Sequence, residues 1–522
     1  MKKNKRLSEY KPLLFTTTLR NPERMKKFLK VLAKYDRQIL TNELINKIVN
    51  DLVSSKLYVP VYVKSVSRLK MQLVDEYTPF SVEDTNEIIR NSPQSHKEAG
   101  FDEGWPSRFD TWYKFLKELG FVYYEIDKPI IISETGSKLV LANEEGYEHL
   151  ETQAFLNAFV KYQRINPYRR ILNDNKPLLL LLNTITELRK RLGESFNGIS
   201  INEIPLFICW KDSNYQSLAD KILEIRELYG FRPSSEYIYS ICKEILELTS
   251  EDEKRFKISN ITEELPDEFI RKMRLTGVIS LRGMGRFIDV NQLEMKKVEY
   301  IIEKYNQMNY FDNESDYFDY MKSIDSELIN SDRVIVPTNE EKYKLFNNWV
   351  EFFELNVLMD ELSILTKSNG KSKNEIFKYI SEPLRLEFLT ALSLQKKFKD
   401  IIVNANYSVD DEGLPTSFAS GGNPDIVCMD KKGNILFEVT MIVGAQQCIR
   451  EMNSIFRHLN DCVKVCGDSF SVLLAPKIHE DTVRYADYIK YKDKLDIIPI
   501  DIPEFIKTLK TDSYDIRDYK IG

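Results

Sequence analysis

The sequence predicts a multidomain protein in which a largely α-helical N-terminal half precedes a C-terminal α/β domain. Its 522 residues are enough for two to four domains, each with a core of its own. Apolar residues recur at helical spacing in the first part, and two of these patterns are each followed by a pair of short strand-like runs. From residue 382 onward strand-like and helical segments alternate, which predicts a sheet with helices on its faces.

The overall composition is that expected of a soluble globular protein, with 43% hydrophobic and 30% charged residues. The leucine run at 178–182 is too short to span a bilayer. The N-terminus is basic but lacks the apolar segment of a signal peptide, so we expect a cytoplasmic protein without membrane association. The six cysteines are scattered, and we interpret them as core residues rather than metal ligands.

Positive charge is concentrated at the N-terminal end. The net charge of the chain is −6, yet residues 1–70 hold 17 Lys and Arg against 5 Asp and Glu, a net charge of +12. The remainder therefore carries −18. This asymmetry indicates one DNA-facing end, with a solvated basic surface as the alternative.

Residues 1–166 are predicted to form an N-terminal DNA-recognition domain. Residues 25–35 and 41–52 have the pattern of amphipathic helices, and Thr41 is the predicted N-cap of the second. Their basic side chains contribute to the positive end of the chain.

A helix followed by a hairpin is predicted within this domain. Residues 106–119 form the helix, and 121–125 and 129–133 form the two strands. This order resembles a winged helix-turn-helix, in which the helix enters the major groove and the hairpin contacts the DNA backbone. Arg108 and Lys114 are its candidate DNA contacts. The alternative is a packing unit without a DNA role.

A second domain is predicted at residues 167–335, and it repeats the helix–hairpin order. The helix covers 267–275, and the hairpin tip reads Arg-Gly-Met-Gly-Arg, from Arg282 to Arg286. Two arginines and two glycines at a tip suit close approach to phosphates. We therefore predict a second winged-helix-like DNA-recognition domain.

Residues 336–380 are predicted to be a helical linker, in which 345–365 form a helix and 367–373 form a polar, flexible break. Residues 381–522 follow as the α/β domain. This break is the predicted joint between the DNA-reading part and the C-terminal domain.

The C-terminal domain contains a predicted hairpin with a carboxylate at each open end. Asp425 precedes one apolar run, residues 431–434 form a Lys-Lys-Gly-Asn turn, and Glu438 lies near the end of the second run. Two carboxylates brought together in this way can hold a hard divalent cation such as Mg²⁺. Such an ion can orient a water and stabilise charge on a phosphodiester.

Polar side chains on two helices are candidates for the same site. After Glu438 a long helix has an apolar stripe, and Gln447, Glu451 and His458 lie along one edge of it. Glu387 lies on the helix that precedes the first core strand. Each could instead be an ordinary helix-flank or packing residue.

These residues also carry a family resemblance. Pro-Asp425, twelve further residues, then Glu438-Val439-Thr440 resembles the PD-(D/E)XK nuclease signature, and the segment TTTLRNPER at 16–24 is similar to the N-terminal signature of AlwI-like type IIS restriction endonucleases. The resemblance covers essentially the whole chain. It implies an endonuclease that binds a short asymmetric sequence in double-stranded DNA and cuts a few base pairs away.

The resemblance also implies roles for single residues. Asp425 and Glu438 match the metal-binding carboxylates, and Mg²⁺ is expected on these two and the Val439 carbonyl. Glu387, Glu451 and His458 match further active-site positions. Thr440 departs from the general signature, which has lysine there, so the residue that activates the attacking water stays open.

The DNA contacts and the product also have alternatives. Arg20 and Arg24 of the N-terminal segment join Arg108, Lys114, Arg282 and Arg286 as candidate DNA-binding residues. The enzyme could be a strand-specific nicking endonuclease or the large subunit of a heterodimeric restriction enzyme, because double-strand cutting needs a second centre from a partner subunit or a transient homodimer. Alternatives from other classes are a DNA-binding regulator with an inactive nuclease domain and a nuclease for damaged or branched DNA.

Overall fold

The computed structural model describes residues 10–13, 19, 21–74, 78–144, 146–169, 171–249, 252–254, 256–331, 338–367, 371–418 and 422–520. Arg20, the threonines at 16–18 and residues 368–370 of the polar break lie outside these ranges. No helix within the ranges combines the length and apolar content needed to cross a membrane.

Up to residue 166, the regular elements among the described residues are helices and one hairpin. The Thr41 side chain accepts a hydrogen bond from the Leu44 N–H at 3.2 Å, which confirms the predicted N-cap. The two short strands after the third predicted helix pair antiparallel. In chain order the described elements are α1 (Pro22–Ala33), α2 (Asn42–Ser54), α3 (Val61–Ser65), α4 (Ser67–Met71), α5 (Val82–Arg90), α6 (Trp105–Glu118), β1 (Val122–Tyr123), β2 (Ile131–Ile132), α7 (Glu134–Leu141) and α8 (Leu150–Lys161).

The middle part contains the second helix–hairpin, with a strand that the sequence pattern did not predict. The strand order is β3-β5-β4, so a short run from residues 199–200 extends the hairpin to three strands. The described elements are α9 (Pro177–Leu192), β3 (Ile199–Ser200), α10 (Ile204–Cys209), α11 (Tyr215–Tyr229), α12 (Ser235–Leu246), α13 (Leu265–Arg274), β4 (Ile279–Arg282), β5 (Phe287–Val290), α14 (Met295–Tyr305), α15 (Glu314–Met321) and α16 (Ser326–Asn330).

The stretch 345–365 is helical as predicted except for a break at residues 353–354, which divides it into α17 (Asn339–Phe352) and α18 (Leu355–Leu365). Phe353 separates them with an extended backbone, at φ −90° and ψ 129°. Its ring is buried and stacks on Phe377, with centroids 4.6 Å apart. Burying this ring therefore stabilises the chain more than continuing the helix through Phe353 would.

The C-terminal part is a mixed five-stranded sheet between helices. The strand order is β12-β11-β10-β9-β6. Strands β10, β11 and β12 run parallel, whereas β9 is antiparallel to both β10 and β6. The elements are α19 (Glu382–Lys397), β6 (Ile402–Ala405), β7 (Ser408–Val409), β8 (Pro415–Ser417), β9 (Ile426–Met429), β10 (Asn434–Val439), α20 (Gln446–Cys466), β11 (Phe470–Ala475), α21 (Glu480–Asp493), β12 (Ile497–Asp501) and α22 (Ile502–Lys510).

The alternation of side chains along β10 separates the two faces of this sheet. Ile435 and Phe437 pack into the core shared with α19 and α22. Leu436 packs against Met452 and Ile455 of α20 and against α21. Glu438 follows Leu436 by two residues, so it points to the α20 side. This α/β arrangement agrees with the predicted alternation. Ile449 of α20 is 64% exposed although it is apolar, so it lies outside the buried face of the helix.

The β7–β8 hairpin joins the sheet part to the second helix–hairpin. The buried side chains of Arg274 on α13 and Asp410 form an ion pair at 3.2 Å. Arg282 on β4 pairs with Asp411 and, at 2.6 Å, with Glu412. Apolar contacts continue from one part of the chain to the other in a single large core. The segment just before Asp425 is thus anchored to the middle of the chain.

Candidate active site

The β9–β10 hairpin brings Asp425 and Glu438 together. Its register pairs Ile426 with Phe437, so the next pair outward is Asp425 and Glu438. The Asp425 N–H donates to Glu438 Oε2 at 3.3 Å, and the Val439 N–H donates to Asp425 Oδ2 at 2.8 Å. The two carboxylates therefore lie side by side at the open end of the hairpin, as predicted.

The opposite end of the hairpin is held by charge and by a glycine. Arg517 donates to both carboxylate oxygens of Asp430 at 2.7 Å, in the bidentate geometry typical of strong arginine–carboxylate pairs. A side chain at Gly433 would place its Cβ 2.4 Å from the Asp468 carbonyl oxygen, so the turn requires glycine there. These contacts fix the hairpin register that places Asp425 opposite Glu438.

Helix α20 supplies two further polar groups to the same face. Glu451 and His458 are seven residues apart, about two helical turns, so they point the same way. His458 Nδ1 lies 2.8 Å from Glu438 Oε1, and the Thr440 hydroxyl donates to Glu451 Oε1 at 2.9 Å. The structure thus places both predicted helix residues against the end of β10.

Glu387 approaches the pair from α19. The side chain is buried, and its Oε2 has no hydrogen-bond partner among the described residues. Burial raises the pKa of Glu387 well above its usual range, and the charges of Glu148 and Glu438 raise it further. Burial likewise raises the pKa of Asp425, followed by the charges of Glu387 and Glu438. Without a cation these carboxylates repel one another.

Glu148 is the acidic neighbour that sequence reasoning missed. It lies between α7 and α8, far from the C-terminal domain in sequence, and its charge is felt by Glu387. No local spacing could have revealed it, because only the packing of the N-terminal part against the sheet part brings the two residues close.

The donor set consists of hard oxygen ligands, which fits a cation of the Mg²⁺ class. Within the described ranges, no three His, Cys, Asp or Glu side chains surround one point closely enough to enclose a metal ion. Mg²⁺ does not require such a cage, because it is usually held by one or two carboxylates and keeps waters or substrate phosphates in its other positions. The paired Asp425 and Glu438, with the unpartnered oxygen of Glu387, meet that lower requirement.

Gln447, the third polar residue on the edge of the α20 stripe, has a structural role. Its side chain is completely buried and donates to the carbonyls of Ile442 at 2.8 Å and Lys477 at 3.1 Å. Its oxygen accepts from the His479 N–H at 3.1 Å and from the Thr482 hydroxyl at 3.0 Å. An amide side chain offers two N–H donors and two acceptor sites on its oxygen, and all four are used here. Gln447 therefore connects these segments and has no free donor or acceptor to bind a water.

The candidate DNA contacts of the first part differ in exposure. Arg24 is exposed, and its guanidinium lies 5.5 Å from the Phe28 ring centroid. Arg108 packs over the rings of Tyr58 and Trp112, at 5.4 and 5.8 Å from their centroids. Lys114 lies 3.6 Å from Glu98 and is about a third exposed. Arg24 is thus exposed, whereas Lys114 and Arg108 are both half-buried.

The two arginines of the second hairpin are also unequal. Arg282 is bound by Asp289, Asp411 and Glu412. Arg286 is exposed, and its one side-chain bond to the described residues is local, to the Gly283 carbonyl at 2.8 Å. A cavity of about 520 Å³ lies at this tip; both arginines and Arg189 line it.

The two glycines at the hairpin tip, Gly283 and Gly285, are explained by the local structure. Gly285 has φ +83°, and a Cβ there would lie 2.9 Å from the Glu375 carbonyl oxygen. Gly283 has φ +57° and faces the Phe287 ring. Backbone conformation and packing explain both glycines without any DNA phosphate.

Comparison with known proteins defines the class of this chain as restriction endonuclease. The match is to the family described as AlwI restriction endonuclease, over residues 117–344 and 329–508. These segments cover most of the chain, including all of the candidate active site. The chain belongs to the AlwI restriction endonuclease family.

Solved structures of restriction endonucleases are also similar. The small subunit (R.BspD6I2) of the heterodimeric restriction endonuclease R.BspD6I is 20% identical, over 32% of this chain and 94% of that one, with a TM-score of 0.23. Restriction endonuclease FokI is 11% identical over 99% of this chain and 98% of that one, with a TM-score of 0.25. FokI bound to DNA is 12% identical over 99% and 96%, with a TM-score of 0.23. No curated protein matches the chain.

Proposed function

We propose that this chain is a type IIS restriction endonuclease that binds a short asymmetric sequence in double-stranded DNA and hydrolyses a phosphodiester bond a few base pairs away, with Mg²⁺. The observation that carries the proposal is the pairing of Asp425 and Glu438 at the open end of one hairpin, in a chain of this family. Their mutual repulsion, strengthened by Glu387, supports a site that takes up a divalent cation.

Asp425, Glu438 and the Val439 carbonyl would hold the metal ion. When bound, Mg²⁺ supplies Lewis acidity to the scissile phosphate and lowers the pKa of a coordinated water. Glu451 faces the same end of the hairpin and orients the attacking water. The buried wall formed by α19 limits bulk water around Glu387.

His458 fixes the direction of Glu438. A carboxylate can only accept hydrogen bonds, so the 2.8 Å contact is a donation from His458 Nδ1–H. This keeps one oxygen of Glu438 in place while Oε2 receives the Asp425 N–H. A role of His458 as proton donor to the leaving oxygen is the alternative.

Recognition and cleavage are divided along the chain in this proposal. Residues 1–166 and 167–335 form winged-helix-like recognition domains, 336–380 link them to the catalytic part, and 381–522 form a PD-(D/E)XK nuclease domain. The α6–β1–β2 and α13–β4–β5 units support the winged-helix interpretation, and the positive N-terminal end supports DNA binding. Exposed Arg24 and Arg286 are the strongest candidates for phosphate contacts, followed by Lys114.

A strand-specific nicking activity is the second candidate. The described residues contain one such carboxylate group, and one centre cuts one strand in each engagement. Double-strand cutting would then need a second centre from a partner subunit or a transient homodimer.

Digestion of a supercoiled plasmid with and without Mg²⁺ tests the proposal. Cuts at a fixed offset from one sequence are expected. Open-circular product would show that one strand is cut, and linear product would show that both strands are cut. Asp425→Ala and Glu438→Ala should each abolish cutting and keep specific DNA binding. Glu480→Ala, which removes an exposed carboxylate of the same domain, is the control.

Retained cutting in the Asp425 and Glu438 variants would refute the assignment. Binding without any cutting by the wild-type chain would favour a regulator with an inactive nuclease domain. Cuts that follow DNA structure rather than sequence would favour a nuclease for damaged or branched DNA.

A further inference from the structure

Thr440 occupies a defined place at the end of the catalytic strand. Its N–H donates to the Leu474 carbonyl at 3.0 Å, so its backbone continues the ladder between β10 and β11. Because Thr440 follows Glu438 by two residues, both side chains point to the face covered by α20. Thr440 is only 7% exposed. Its side chain is therefore held in the wall of the candidate active site.

The hydroxyl of Thr440 both accepts and donates a hydrogen bond. It accepts a hydrogen bond from the Ile442 N–H at 3.0 Å and donates its single proton to Glu451 Oε1 at 2.9 Å. Since the Ile442 N–H occupies the acceptor side, the proton is directed to the carboxylate. A bond of this kind to a carboxylate is stronger than one between neutral groups.

Lysine could not make the same two contacts, although the PD-(D/E)XK signature has lysine at this position. A lysine ammonium has three donors and no acceptor, so it cannot take the Ile442 N–H. The turn that leads from β10 into α20 is thus built for a hydroxyl. The residue that replaces lysine holds an acid on the neighbouring helix instead of approaching the reacting atoms itself.

Glu451 is close enough to the catalytic pair for its charge to act there. It is among the groups whose charge is felt at Asp425. It sits in the second turn of α20, and Thr440 is the strand residue that binds its Oε1. Rotation of the Glu451 side chain toward solvent would break this bond.

We infer that Thr440 is a positioning residue, which holds the Glu451 carboxylate at the place where it orients the attacking water. This inference rests on the proposed nuclease function. Thr440 touches neither the metal site nor the DNA in this scheme, so it acts only through Glu451.

The test is single-turnover cutting of supercoiled plasmid with Mg²⁺ by Thr440→Val, Thr440→Ser and Glu451→Gln. Loss of one hydrogen bond to a charged group predicts a rate constant about 10- to 100-fold lower for Thr440→Val. Thr440→Ser keeps the hydroxyl and should stay within about threefold of wild type. Thr440→Val added to Glu451→Gln should cause little further loss, since residues that act as a unit are not additive.

Two controls separate positioning from folding. Thr184→Val removes another buried hydroxyl, one that bonds only to its own helix at the Leu180 carbonyl, and should leave the rate unchanged. DNA affinity should be the same in all variants, so the loss falls on the chemical step. If Thr440→Val does not fold, Thr440→Ala removes the same hydroxyl with less steric change and replaces it in the series.

Three results would overturn the inference: a Thr440→Val rate equal to wild type, a Thr440→Ser rate as low as that of Thr440→Val, or multiplicative losses in the double variant. Failure of the proposed function is distinguishable, because then the wild-type chain itself would not cut in the presence of Mg²⁺.

Discussion

Replacement of Glu387 by glutamine should make the metal-free protein more stable and the enzyme inactive. Glu387 is buried, its Oε2 has no partner among the described residues, and it faces the charges of Glu438 and Glu148. A buried polar atom without a partner costs about 1–3 kcal/mol, and more when charged. Glutamine keeps the shape and an equally unpartnered polar atom, so only the cost of the charge is removed. Removing that charge is expected to raise the free energy of unfolding by about 1–3 kcal/mol.

The gain should depend on pH in a defined direction. The native pKa of Glu387 is raised above its ordinary 4.5, so the native state holds a proton that the unfolded state releases. Wild-type stability therefore falls as pH rises from 4.5 toward the native pKa, and the variant lacks this loss. The difference between variant and wild type should be largest at alkaline pH and should vanish below pH 4.5.

Thermal unfolding in EDTA at pH 5 and pH 8 measures this difference. For a cooperative unit of 150–250 residues, 1 kcal/mol corresponds to about 2–4 °C, so a rise in Tm of roughly 2–12 °C is expected at pH 8. Plasmid cutting with Mg²⁺ measures the loss of activity. Glu361→Gln is a matched control, because Glu361 is also buried with an unpartnered Oε2 and burial also raises its pKa. It should gain stability and keep activity.

Unchanged stability of Glu387→Gln at pH 8 together with intact cutting would refute the assignment of Glu387 to the site. A gain in stability with intact cutting would leave Glu387 as a strained but non-catalytic residue. Equal loss of cutting in Glu361→Gln would show that any buried glutamate in this region matters for folding rather than chemistry.

Two further predictions concern His458 and the hairpin arginines. His458→Ala should lower the cutting rate about 10- to 100-fold, the loss expected for one hydrogen bond to a charged group. His458→Asn can place an N–H near the Nδ1 position and should recover part of the lost rate. An asparagine variant as slow as the alanine variant would favour the proton-donor role. Arg286→Ala should weaken DNA binding for all sequences and lower the salt slope by about 1, as expected for a phosphate contact. Arg282→Ala should mainly lower stability, because Arg282 bridges Asp289, Asp411 and Glu412; a lower salt slope for Arg282→Ala and none for Arg286→Ala would reverse their roles.

The sequence predicts those parts of the site that depend on local spacing. Asp425 and Glu438 meet because a short turn and two apolar runs define a hairpin register. Glu451 and His458 share a face because they are two helical turns apart. Such relations are set within a few residues, and the structure has them as predicted.

Relations between distant segments could not be predicted. Glu148 reaches the neighbourhood of Glu387 only through packing of the N-terminal part, and the Arg274–Asp410 ion pair joins positions 136 residues apart. The break at 353–354 within the helical stretch 345–365 could not be predicted for the same kind of reason, since the burial of the Phe353 ring outweighs local helix preference. The structural role of Gln447 could not be predicted either, because its four hydrogen bonds are made to the loop after β10 and to residues 477–482 at the start of α21.

Glu387 and Gln447 are both buried polar residues near the candidate site, but they differ in whether their polar atoms have hydrogen-bond partners. Gln447 lies at the start of α20 with every polar atom satisfied, so the helix that carries Glu451 and His458 begins from a rigid point. Glu387 is buried among like charges with an oxygen unpartnered in the described structure. Folding alone would favour removal of that charge, whereas binding of a cation would offset the repulsion. A charge that is unfavourable for the empty protein and favourable for the loaded one is best explained by function rather than by packing.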